Sequence, residues 1–264
     1  MSQTFYFMPM LKLASLLPEQ KALEDKLGGL PWGLPAEKWP MCAMCTRPQS
    51  LLAQFVHDEE RLNLGKAGRV LFIFFQCNFA PGDCETLDGS SGANSCFVLD
   101  AEELTDKLAE SPASDLSVET EARVEEWIRK VEDLEQASLA SPYKPNTTFS
   151  TKLGGLPNFI QNEEEAPSDG YQFIGQLDYL YNFYSTLPAA NEVGCSVIRF
   201  GRLRRSQKPD QIKSNAPHFI QELAPSSEVR WYCDGANFGD AGTGYIYLKL
   251  EDTTTKGHFF WQCS

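Results

Sequence analysis

The chain has 264 residues, is 42% hydrophobic and carries a formal net charge of −13, with a pI near 4.7. That acidity argues against nucleic acid or an anionic membrane as a direct partner, because both repel a negative surface; it suits plain solubility, and it suits a basic protein partner. The length allows one or two domains and can bury a full core, and no apolar run approaches the ~20 residues that span a bilayer.

Residues 1–25 read as a short helix, with Leu11, Leu13, Leu16 and Leu17 apolar and Pro18 ending it. The N-terminus lacks a basic start and a small-residue cleavage site, so it is not read as a signal peptide, and a cytoplasmic location is expected. Next comes KLGGLPWG (Lys26–Gly33), which recurs 126 residues later as KLGGLPNF (Lys152–Phe159). Behind each copy stands an apolar stretch containing Gln (Ser50–Phe55; Gln172–Asp178), then a Gly-led apolar run (Gly68–Asn78; Gly242–Leu250). Self-similarity at one offset reads as a duplication, with halves 1–145 and 146–264 fused into a single body because neither carries a complete set of strands. Gly-Gly-Leu-Pro itself predicts a rigid corner feeding a strand: glycine permits positive φ, and proline biases its predecessor away from the helix.

Strands are expected at Leu51–Phe55, Val70–Phe75 and Cys96–Leu99. LFIFF is continuously apolar, as in a strand buried on both faces. Asp100–Glu135 is the acidic block, with thirteen Asp or Glu against four Lys or Arg. Its second half predicts a helix, since Val124, Trp127, Ile128, Val131 and Leu134 recur at three- and four-residue steps, leaving Glu121, Glu125, Glu132 and Asp133 on the opposite, solvated face. Residues 137–151 are a polar, Pro-containing connection. Beyond the second corner lie three consecutive Glu (Glu163–Glu165) and a basic cluster between Arg199 and Lys213, which pairs with the acidic helix or receives a partner's carboxylates. Val229–Cys233 reads as a strand, and Tyr245–Leu250 and His258–Cys263 as a hairpin.

LGGLPNFIQ, FIGQLD, GDAGTGYIYL and the terminal FFWQCS resemble the bacterial YwqG-like family, across about the whole chain. LGGLPW, MCAMCTRPQSLLAQ and VLFIFFQCN with Cys84 behind it resemble the N-terminal part of the distantly similar eukaryotic family of programmed cell death protein two. The resemblance implies an α+β fold built by duplication, with two mainly antiparallel sheets and peripheral helices. It also implies protein binding: the eukaryotic proteins are chaperones for a basic ribosomal protein, and some bacterial ones resemble immunity proteins against toxins of interbacterial competition, including nuclease toxins delivered by type VI secretion.

The sharpest constellation is Cys42, Cys45, Cys77 and Cys84, spaced C-x2-C, thirty-one residues, then C-x6-C. C-x-x-C presents two thiolates from one tight turn, and zinc takes four ligands in a tetrahedron. A structural zinc, unliganded core thiols and a redox pair are the three readings of it. Cys96 is an alternative to Cys84, and Thr46 stands where the resemblance expects Gly after Cys45. An enzyme reading finds little: three His, no H-E-x-x-H, no G-x-S-x-G, and only Cys195, Cys233 or Cys263 with His218 or His258 as pairs that folding would have to bring together. The expectation is therefore an acidic protein that neutralises a basic bacterial toxin by occlusion, with Glu121, Glu125, Glu126, Glu132, Asp133, Glu163, Glu164 and Glu165 meeting it. The alternatives are a chaperone-like factor for a basic nucleic-acid-binding protein, and an enzyme with a site the sequence hides.

Overall fold

The computed structural model describes residues 4–75, 84–132, 150–161, 166–168, 170–183, 196–199, 218–223, 229–239, 242–250 and 255–263. Fourteen strands account for nearly all its regular structure: β1 (Phe5–Leu13), β2 (Lys26–Leu27), β3 (Ser50–Val56), β4 (Val70–Phe75), β5 (Ser95–Leu99), β6 (Ala122–Val131), β7 (Lys152–Gly154), β8 (Gln172–Asp178), β9 (Leu180–Phe183), β10 (Ser196–Arg199), β11 (His218–Leu223), β12 (Val229–Asp234), β13 (Thr243–Leu250) and β14 (Thr255–Gln262). Ten close into an antiparallel barrel in the order β1-β6-β2-β3-β4-β5-β14-β13-β8-β7, and the other four form a sheet ordered β10-β11-β12-β9. The expected α+β fold with peripheral helices is thus corrected: among the described residues, helical turns are confined to three short 3-10 segments.

Both expected helices are strands, β1 and β6, paired along their length. The reason for the misreading is a β-bulge. Met10 faces Glu126 while Leu11 faces Val124, so Glu125 is the extra residue of the pair. A bulge shifts the side-chain alternation by one. Val124 and Trp127, three residues apart, therefore both pack on the core and imitate helical spacing. On β1, Leu11 and Leu13 point to that core by ordinary alternation.

The main core draws residues from β1, β3, β4, β8, β13 and β14 and so fills the barrel interior. On β4, Leu71, Ile73 and Phe75 face it, whereas Val70, Phe72 and Phe74 join an outer cluster with Leu34, Trp39 and Leu51. On β13 and β14, Ile246, Leu248 and Phe259 face inward, while Tyr245, Tyr247 and Phe260 form a second outer cluster. LFIFF is accordingly buried on both faces.

Around the ring, β6-β2-β3-β4-β5 is matched by β1-β7-β8-β13-β14, so the N-terminal strand stands beside the second set. The two Gly-Gly-Leu-Pro corners share the hydrogen bonds of a buried glutamine. Lys26 registers with Gln54, and Lys152 with Gln176. The Trp32 amide donates to Gln54 Oε1 at 2.8 Å, and the Asn158 amide to Gln176 Oε1 at 3.0 Å. Each Gln then donates to a carbonyl just ahead of its corner, Glu24 or Ser150. Gly29 (φ 71°) and Gly155 (φ 72°) are left-handed, and a Cβ on either would strike a carboxylate, that of Glu121 or of Glu132. No helix among the described residues is long and apolar enough to cross a membrane.

Candidate metal centre and acidic surface

Two loops converge beyond the β3–β4 end of the outer cluster. The first, residues 41–48, folds into a turn in which the Thr46 amide donates to the Cys42 carbonyl and the Cys42 amide to the Arg47 carbonyl, each at 2.8 Å. The second, residues 84–94, is bonded to it and to the adjoining Gln49. The Ala43 amide and the Gln49 side chain donate to the Gly92 carbonyl, and the Glu85 amide donates to Met44 Sδ at 3.2 Å. These ties gather Cys42, Cys45 and Cys84, with their sulfurs all within 4.8 Å of one another. Cys42 Sγ and Cys84 Sγ stand 3.7 Å apart. A disulfide would need about 2.05 Å; the edge of a zinc–thiolate tetrahedron with 2.3 Å bonds is about 3.8 Å. The cluster has the donors and the spacing to hold a metal ion. Cys77, the fourth expected ligand, lies outside the described residues.

Thr46 adopts φ 59°, the sole non-glycine residue with positive φ among those described. A β-branched residue there is a genuine outlier, and such strain persists where surrounding structure over-determines it. The position after Cys45 is thus held in the conformation that glycine would take freely. Cys96 is not part of the cluster: it lies on β5 against the core, and burial pushes its thiol up to about 12, so it stays protonated.

The acidic candidates separate into three groups. Glu132 is internal, 5% exposed, paired with Lys152 at 3.1 Å and accepting the Leu156 amide at 3.0 Å. Glu121 is one-quarter exposed, beside Lys26 at 3.6 Å and Arg123 at 3.5 Å. Both lysines are fully buried, and burial lowers their pKa against the opposing pull of the neighbouring carboxylate. Glu125 and Glu126 are exposed, the former paired with Lys12 at 3.0 Å. Asp133 and Glu163–Glu165 lie outside the described residues, as do the side chains of the basic cluster. Much of the acidic block is neutralised from within the chain: Asp100 by Arg69, Glu102 by Lys66, Glu103 by Lys38 and Asp115 by Arg47. Asp106, Glu110 and Glu126 are exposed and have no ion pair among the described residues.

Two buried lysines, Lys26 and Lys152, are structural residues that sequence reasoning missed. The signal was present, since the lysine recurs in both copies of the motif. Of the nucleophile pairs, Cys195 and the side chains of Cys233 and His218 lie outside the described residues. His258 packs among Tyr171 and Phe260, where burial lowers its pKa against the pull of Asp88. Cys263 packs against the interior core. No family model, curated protein or solved structure matches the chain.

Proposed function

We propose that this is a cytoplasmic binding protein of YwqG-like kind that shields a basic protein partner by occlusion, with no chemistry of its own. In its most concrete form it is an immunity protein covering the active site of a basic toxin such as a nuclease. The observation that carries this reading is the charge left over: Asp106, Glu110 and Glu126 remain exposed without a described cation, in a chain whose net charge is −13. Such carboxylates imitate phosphates and speed association by long-range attraction. A pull-down from host lysate at low and high salt tests it. A single stoichiometric basic partner with a toxin or nuclease domain is expected, with capture weakened by salt and by Glu126→Lys with Glu110→Lys. No partner at either salt refutes the reading.

The cysteine cluster favours a second reading, a chaperone-like factor for a basic nucleic-acid-binding protein, because the eukaryotic proteins it resembles carry cysteines at like positions. Here Cys42, Cys45 and Cys84, with Cys77 the fourth ligand expected from the sequence, would hold a structural zinc that staples the two loops. A thiolate set of this kind is closed and offers no open position for catalysis. About one zinc per chain is expected on isolation, lost in Cys42→Ser. Ribosomal proteins in the pull-down select this reading, and a metal-free protein removes its support.

A further inference from the structure

The corner glutamines give the two halves a common register, and one pair of positions breaks the match. On β3 and β4, Gln54 faces Phe72 and, two residues on, Val56 faces Val70. On β8 and β13, Gln176 faces Tyr245 and Asp178 faces Thr243. The correspondence holds at that very position: the Val56 amide donates to Asp25 and the Asp178 amide to Thr151 Oγ1, and Asp25 and Thr151 stand at the same 126-residue offset as the motif. A fold that seats two valines here does not itself require a carboxyl and a hydroxyl.

Asp178 and Thr243 share the outer face of the sheet, because Leu177 and Ile246 point into the core while Tyr245 belongs to the outer cluster. They are 5% and 0% exposed. Burial pushes the Asp178 carboxyl up to about 8; two backbone amides oppose this, and no cation among the described residues does. The Thr243 hydroxyl makes no hydrogen bond among the described residues. Gln176, on the same face two residues earlier, accepts the Asn158 amide and donates to the Ser150 carbonyl, so it draws both residues to this end of the strand. The Asn158 side-chain oxygen and the Ser150 hydroxyl are also buried without a described hydrogen bond. Buried polar atoms are nearly always satisfied, so three such oxygens around one buried carboxyl ask for a shared partner. A hydroxyl beside a carboxylate ordinarily closes to about 2.5–2.7 Å. Oxygens that ligate one cation stand farther apart, about 3.3–3.7 Å for bonds of about 2.3–2.6 Å.

We propose that Asp178, Thr243, Asn158 and Ser150 hold a hard monovalent cation, sodium or potassium. Asp178 is its charged ligand and the other three supply neutral oxygens. An all-oxygen set selects hard cations. One carboxylate balances one positive charge, whereas a divalent ion would leave a net charge buried. The ion ties the second corner to β8 and β13, and it stands apart from the reading of the partner.

The test is thermal melting of the full chain at about pH 9, above the range where Asp178 holds its proton, in sodium, potassium or tetramethylammonium chloride at equal concentration. Tetramethylammonium is too large to enter. Sodium or potassium should raise Tm by about 2–4 °C over it when present about tenfold above its Kd, and the larger rise identifies the ion. The rise should vanish in Asp178→Asn and in Thr243→Val. The second variant copies the valine that the first half carries at this position, so it keeps the fold while removing a ligand. Equal melting in the three salts, or an undiminished rise in Thr243→Val, overturns the proposal. A response to calcium chloride alone overturns it as well, since the charge balance would then be wrong.

Discussion

Glu132 and Glu125 were both expected on one solvated helix face, and the structure assigns them opposite energetics. Glu132 is 5% exposed, Lys152 only 1%, with 3.1 Å between them, and the ammonium also lies 5.0 Å over the Tyr6 ring. Glu132→Ala removes the one carboxylate among the described residues that pairs with that ammonium and orphans the Leu156 amide as well. Breaking one side of a buried pair costs about 3–5 kcal/mol, because the remaining charge stays desolvated and uncompensated. Glu125 and Lys12 are 62% and 38% exposed, and a pair so solvated contributes about 0–1 kcal/mol. Urea unfolding followed by tryptophan fluorescence should therefore place Glu132→Ala at least ~2 kcal/mol below Glu125→Ala. The double variant Glu132→Leu with Lys152→Met should recover most of the loss, since removing both charges also removes their desolvation. Equal stabilities for the two alanine variants would refute the reasoning, as would a double variant no better than the single one.

Three further outcomes follow from individual residues. Asp178 is 5% exposed, and burial holds its carboxyl up at about 8 from an ordinary 3.8. The folded chain thus keeps a proton that the unfolded chain releases; this contribution is fully present below about pH 4 and is lost as pH rises through 8, with a slope of about 1.4 kcal/mol per pH unit that Asp178→Asn should flatten. Gly155→Ala should destabilise by about 1–3 kcal/mol, since φ is 72° and the new Cβ meets the Glu132 carboxylate. Gly170→Ala, also left-handed but with only the Lys249 side chain nearby, should cost the backbone term of about 1 kcal/mol alone, and thermal melts of the pair separate the two causes. Thr46→Gly relieves a left-handed β-branched residue and should stabilise the chelator-treated protein by up to about 1 kcal/mol, read by denaturation in EDTA.

The strands that were legible are those whose local pattern had one explanation. LFIFF is apolar at every position, and the Gly-Gly-Leu-Pro corners need positive φ, so both follow from neighbours a few residues away. Helix and strand could not be told apart at β6, because the bulge at Glu125 produces a three-residue step that only the pairing with Met10 and Leu11 explains. Barrel closure was equally hidden, since it depends on β1 pairing with both β6 and β7, contacts more than a hundred residues distant in sequence. At the candidate site, Cys42 and Cys45 were legible from spacing, and their meeting with Cys84 follows from bonds to Gly92 that no spacing encodes. The acidic residues were read by charge alone. Charge does not say that Glu132 turns inward to a buried lysine while Glu126, only six residues earlier, stays in water.

That distinction changes what the acidity can do for a partner. An ion pair within the chain is a dipole, and beyond the Debye length of about 8–10 Å its field is small. The net charge of −13 is unaltered by such pairing, so long-range attraction of a basic partner does not depend on which carboxylates are internally neutralised. Docking does depend on it. To use Glu125, a partner must displace Lys12, whereas Glu126 carries no described cation and forms a new pair without breaking an old one. Glu125→Gln and Glu126→Gln each remove one negative charge and should slow association equally, by a factor that shrinks with salt. Glu126→Gln alone should also hasten dissociation, since only there is a contact of the complex lost. Surface-plasmon kinetics of the two variants against the captured partner would show this split; matched dissociation rates would place the contact elsewhere and leave the acidity a matter of steering alone.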